Sequence, residues 1–151
     1  MTSYAPVRFT TGPAVMTRRA ARRGSADGPF PARTLMPVTE AVLSPEDQKI
    51  ITLARSTRAR VAASEGAAVR DETGRTYTAA AVALPSLQLS ALRLAVAMAV
   101  SSGAERLEAA ALVSDAVEPD PGDLAAVRDL GPDAPVFHAA PDGSLRATLV
   151  P

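Results

Sequence analysis

Cysteine and tryptophan are absent from this 151-residue chain, and histidine occurs once, as His138. Without a thiol there is no disulfide framework, thiolate nucleophile, Cys-based zinc site or iron–sulfur cluster, and a single imidazole leaves any zinc site to be built mainly from carboxylates. Aromatic residues make up 3% of the sequence, and beyond the first forty residues only Tyr77 and Phe137 remain. Those two cannot build a base-stacking platform. The longest apolar run begins near Leu87, is interrupted by Arg93, and at about sixteen residues falls short of the roughly twenty that span a bilayer. What is present is apolar: 47% of the residues are hydrophobic, in a length that makes one globular domain with a substantial core.

The net charge of zero hides a division. Residues 1–40 hold six Arg against Asp27 and Glu40, while the remainder holds ten basic and fourteen acidic side chains. An acidic body has no electrostatic reason to seek nucleic acid, so any such affinity is confined to the arm and its cluster Arg18, Arg19, Arg22 and Arg23. The arm also carries Pro6, Pro13, Pro29, Pro31 and Pro37 and no apolar period. Residues 1–43 therefore read as a disordered Arg/Pro-rich extension, with the folded domain over 44–151. No apolar stretch follows the arginines, so neither a Sec nor a twin-arginine signal is expected and the protein reads as cytoplasmic. Met16 and Met36 are alternative starts to Met1.

Order is expected from Ser44, an N-cap followed by Pro45 and by Glu46 and Asp47 in the first turn. A helix over about 45–64 would bury Ile50, Leu53, Ala54 and Val61. Gly66 ends it. Ala67–Arg70 and Tyr77–Val82 then read as strands of a hairpin around Asp71-Glu72-Thr73-Gly74-Arg75. Pro85 and Ser86 are expected to open a second helix, Leu87 to about Ser102, closed by Gly103. It is apolar on nearly every side and hence buried on nearly every side, either within the domain or against another subunit. Leu107–Ser114 suits an inner strand, Asp123–Leu130 a short helix capped by Asp123, Pro135–Ala139 another strand, and Leu145–Val150 a last one after the Asp142-Gly143 turn. This order describes a three-layer α/β domain with a mixed sheet flanked by helices.

In order and spacing, Gly66-Ala67-Ala68-Val69, the Asp71–Arg75 turn, the helix ending Ala99-Val100-Ser101-Ser102-Gly103, Ala134-Pro135-Val136, Asp142-Gly143 and Thr148-Leu149 resemble the small cytidine deaminases. The resemblance covers about residues 46–150. It implies that family's fold, and it implies zinc held by a His or Cys and two further Cys, with a Glu beside the metal as proton shuttle. The family's Cys-Ala-Glu-Arg stretch falls on Ser90, Ala91, Leu92 and Arg93, and its Pro-Cys-x-x-Cys on Pro119 to Asp123. A ligand is thus replaced by Ser90, the proton shuttle by Leu92, and both remaining thiolates by Asp120 and Asp123. The ribose-binding Asn-x-Glu would lie within Ala81–Pro85, where no side chain can hydrogen-bond, and the pyrimidine-stacking Phe falls near Ala63. Arg93, which in the family faces the zinc thiolates, must find its counter-charge elsewhere, with Asp120 and Asp123 as candidates.

The resemblance therefore implies a cytidine-deaminase-like protein without catalytic residues, zinc or another cofactor, and the short apolar run predicts no membrane partner. Such a chain would be retained as an oligomeric interaction or regulatory module, and family members commonly pack as homo-oligomers through the central helix. Two alternatives stand beside this reading. One is an active nucleoside deaminase with a rebuilt carboxylate site. The other is a nucleic-acid-associated protein acting through Arg18, Arg19, Arg22 and Arg23. Ser90, Asp120 and Asp123, with His138 near, would suit magnesium or calcium; read as ordinary residues, the aspartates serve a turn and a cap, and His138 packs in its strand.

Overall fold

The computed structural model describes residues 42–151. The extension and its Arg18, Arg19, Arg22 and Arg23 cluster lie outside the described residues, apart from the extension's last two positions.

Helix α1 spans Pro45–Arg60. Ser44 Oγ accepts from the Asp47 N–H at 3.1 Å, and Pro45 occupies the first turn, where its missing N–H costs nothing. The buried stripe is Ile50, Ile51, Ala54 and Thr57. The helix ends four residues earlier than its apolar period suggests, and Val61 is 54% exposed. The reason is the return of the chain beneath α1: Ala62 takes a left-handed φ of 51°, and Arg58 Nε donates to the Ser64 carbonyl at 3.0 Å. Gly66 then passes so close to the helix that a Cβ there would overlap the Ala54 carbonyl oxygen and sit 2.7 Å from Arg58 Cβ.

Strands β1 (Glu65–Asp71) and β2 (Thr76–Ala80) form the expected hairpin. Asp71 organises its turn: its Oδ1 accepts from the Thr73 N–H, the Thr73 hydroxyl and the Arg75 N–H at 2.9, 2.7 and 2.9 Å, and its Oδ2 accepts from the Tyr77 hydroxyl at 3.0 Å. Gly74 supplies the positive φ of 84° the turn needs.

The next segment departs from expectation. Leu87–Leu89, expected to begin the second helix, is instead strand β4, paired with β3 (Val82–Leu84) in a second hairpin that turns at Pro85 and Ser86. Helix α2 is shorter, Ala91–Ser101, because Ser90 caps it: Ser90 Oγ accepts from the Arg93 N–H at 3.2 Å and its carbonyl from Leu94 at 3.0 Å. Nor is α2 buried all round. Ala91, Leu92, Ala95, Val96 and Ala99 face the core, while Met98 and Val100 are exposed.

Strand β5 (Leu107–Ser114) follows as expected; α3 runs Pro121–Leu130, then β6 (Val136–Ala139) and β7 (Leu145–Leu149). The cap of α3 is Asp120, not Asp123: Asp120 Oδ1 accepts from the Gly122 N–H at 2.7 Å, and Pro121 takes the first helical position. The sheet order is β2-β1-β5-β6-β7, with β5 and β6 parallel and the other neighbours antiparallel. The central strand β5 is apolar on both faces because each is covered. On one side Ala109, Ala111 and Val113 join Ile50, Ile51 and Ala54 of α1; on the other Ala110 and Leu112 join Leu92, Ala95 and Val96 of α2 and Val127 of α3. The result is a mixed sheet between helical layers. Among the described residues no helix is long and apolar enough to cross a membrane.

Candidate functional site

The first turns of α2 and α3 meet near the carboxyl end of β5. Ser90, the cap of α2, donates its hydroxyl to Asp123 Oδ1 at 2.7 Å, and Arg93, in the first turn of α2, places Nε 3.0 Å from the same oxygen. Arg93 Nη2 also reaches Asp120 Oδ1 at 3.4 Å. A guanidinium in a helix's first turn opposes the local dipole, so the carboxylates on α3 offset a conflict internal to α2. They are themselves well placed, since the N-terminus of α3 favours negative charge. Gly122 permits the approach, because a Cβ there would collide with the Arg93 guanidinium. The structure thus brings together Ser90, Arg93, Asp120 and Asp123. Leu92 points the other way, fully buried in the core shared with Ala95 and Val127.

Beside this cluster opens a cleft of about 520 Å³, lined among others by Glu65, Ser114, Asp115, Glu118, Asp120 and Asp123. Its acidic character is expressed in Glu65: burial, then the nearby charge of Asp123 and of Asp120, raises its carboxyl above the ordinary glutamate range. Asp115 is paired with Arg58 at 3.2 Å.

His138 is buried on β6, with Nε2 sharing a 3.2 Å hydrogen bond with Ser114 Oγ and Nδ1 without a partner. Burial, reinforced by the charge of Arg146, lowers its basicity. It packs in its strand, and its side-chain hydrogen bond is to Ser114 and not to Ser90, Asp120 or Asp123. Among the described residues no three His, Asp or Glu side chains are grouped to hold a metal ion. Glu65, Ser114 and Gly122 belong to this region although nothing in the motif spacing singled them out. The one available signal was the charge of Glu65 directly ahead of the apolar run Gly66–Val69.

A three-layer α/β/α domain, with a polar node between two helix starts at the carboxyl end of its central strand, defines the class of this chain. The sequence model of the family described as cytidine deaminase-like matches residues 43–143. A search of curated protein sequences gives no match. Among solved structures, the cytidine deaminase of Burkholderia pseudomallei superposes with a TM-score of 0.60 at 22% identity, over 68% of this chain and 90% of that one. The cytidine deaminase of Mycobacterium leprae superposes with a TM-score of 0.52 at 21% identity, over 65% and 89%. At such identities the likeness is one of fold. With the family match spanning most of the described domain, the chain belongs to the cytidine deaminase-like family.

Proposed function

We propose that this chain is a non-catalytic member of its family, in which the cytidine-deaminase-like domain serves as an oligomeric interaction or regulatory module. The observation that carries the reading is the pairing of Arg93 with Asp123 and Asp120. Zinc deaminase chemistry needs soft ligands and an ionisable group beside a metal-bound water. Here the donors would be one hydroxyl and two carboxylates, and one Asp123 oxygen already holds both the Ser90 hydroxyl and Arg93. This donor set does not fit zinc. Leu92, at the family's proton-shuttle position, is buried and cannot carry a proton.

The exposed Met98 and Val100 on α2 support self-association through that helix, and Leu84 and Leu87 of the β3–β4 hairpin add exposed apolar surface. A cytoplasmic setting fits such a module. The test is the zinc content of the purified chain together with turnover of cytidine and deoxycytidine. The expected result is no stoichiometric zinc and no turnover. One zinc per chain, or turnover abolished by Asp120→Asn or Asp123→Asn, would establish an active deaminase with a rebuilt site instead.

A further inference from the structure

Only 4% of the Asp123 side chain is exposed, so its carboxylate would be an uncompensated buried charge without a partner. It has two, and both come from α2: the Ser90 hydroxyl at 2.7 Å and Arg93 Nε at 3.0 Å. The same guanidinium reaches Asp120 at 3.4 Å, and the same Ser90 oxygen caps the helix by accepting the backbone N–H of Arg93 at 3.2 Å. Two carboxylates at the start of α3 are therefore gathered about one cation from the start of α2, some thirty residues away in sequence, and the Ser90 hydroxyl fastens the buried one of the two to the α2 cap. The bare backbone of Gly122 leaves space for that cation. A bound metal ion imposes the same topology on its ligands, with the positive charge supplied from outside the chain.

We propose that the Arg93 guanidinium is a tethered cation that performs the cross-linking work of a metal ion, joining the start of α2 to the start of α3. The inference rests on the reading of the site as metal-free, and it adds what replaces the metal. It also implies that Ser90, Asp120 and Asp123 remain near enough to one another for three thiolates at these positions to hold zinc.

The experiment uses the purified full chain and follows thermal unfolding of the wild type, Arg93→Ala, Asp123→Asn and the double variant, each with EDTA and with zinc chloride. The wild-type Tm is expected to be the same in both to within about 1 °C, and Arg93→Ala to lower it by roughly 5 °C. Adding Asp123→Asn to Arg93→Ala should recover at least about half of that loss, because it removes the charge Arg93 neutralised. In a second arm, the triple variant Ser90→Cys, Asp120→Cys, Asp123→Cys is expected to bind one zinc per chain and to lose stability with EDTA. Strictly additive losses in the cycle, or a folded triple variant that takes up no zinc, would overturn the proposal. If the triple variant does not fold, the cycle decides alone. Zinc or turnover in the wild type would instead defeat the non-catalytic reading, so the two failures are separable.

Discussion

Asp71 and Asp123 are both buried aspartates engaged by several hydrogen-bonding groups, yet the chain secures them by opposite means. Asp71 is held within its own turn, by N–H and hydroxyl groups no more than six residues away and all of them neutral. Asp123 is held by Ser90 and Arg93, some thirty residues distant, and one of these is a cation. A local knot of neutral donors can form as soon as its turn closes and asks nothing of the rest of the fold. A long-range ionic knot forms only after two helices have docked, and it then fixes how they dock. The first kind makes framework; the second joins two helix starts that lie far apart in the chain.

Asp71→Ala should be the most damaging change, costing about 3 kcal/mol in chemical denaturation, since it leaves four donors unpaired. A smaller loss than that of Arg93→Ala would reverse the ranking of the two knots. Gly122→Ala comes next, at about 1–2 kcal/mol, because the new methyl displaces the guanidinium. Made in an Arg93→Ala background, the same change should cost much less; an equal cost in both would show that Gly122 acts through backbone alone.

The pH profile separates the groups further. Burial alone would raise Asp71, but the hydrogen bonds from Thr73, Arg75 and Tyr77 outweigh it and hold the carboxyl below its ordinary value of 3.8. Its contribution is therefore present above that value and lost as the pH falls below it. The depressed His138 favours the folded state above its ordinary value of 6.5, so a first, shallower loss of Tm should appear below that pH and vanish in His138→Gln. The smallest effect has the opposite sign. With its carboxyl raised, Glu65 disfavours folding once ionised, so Glu65→Gln should increase Tm at neutral pH by about 1–2 °C and lose that advantage below the ordinary glutamate value of 4.5.

The contrast also explains what the sequence made legible. The α1 cap, the Asp71 turn, β5 and the Asp142-Gly143 turn are written in neighbouring residues, and each lies where its local pattern places it. Leu87–Leu89 proves strand where the pattern suggests helix, because a short apolar run carries no period that separates the two, and the deciding signal, Ser90 as a cap, lies at its end. At α3 two aspartates competed for the cap, and Pro121 between them decided for Asp120. For the site, the family resemblance supplies the candidate positions and Asp120 and Asp123 as candidate partners of Arg93; that one Asp123 oxygen takes both Arg93 and Ser90 depends on how α2 and α3 pack, which no local pattern records. Gly122 escaped notice for the same reason, since its meaning is a guanidinium from another helix.

A node made of guanidinium, hydroxyl and carboxylates has no atom that peroxide can oxidise or that a disulfide can capture, whereas a thiolate node is open to both. Among the described residues the only sulfur is the thioether of Met98, which lies on the exposed side of α2, away from the core that Leu92 and Ala95 fill. Oxidative damage to this domain would therefore fall first on its apolar outer surface and leave the junction of α2 and α3 intact.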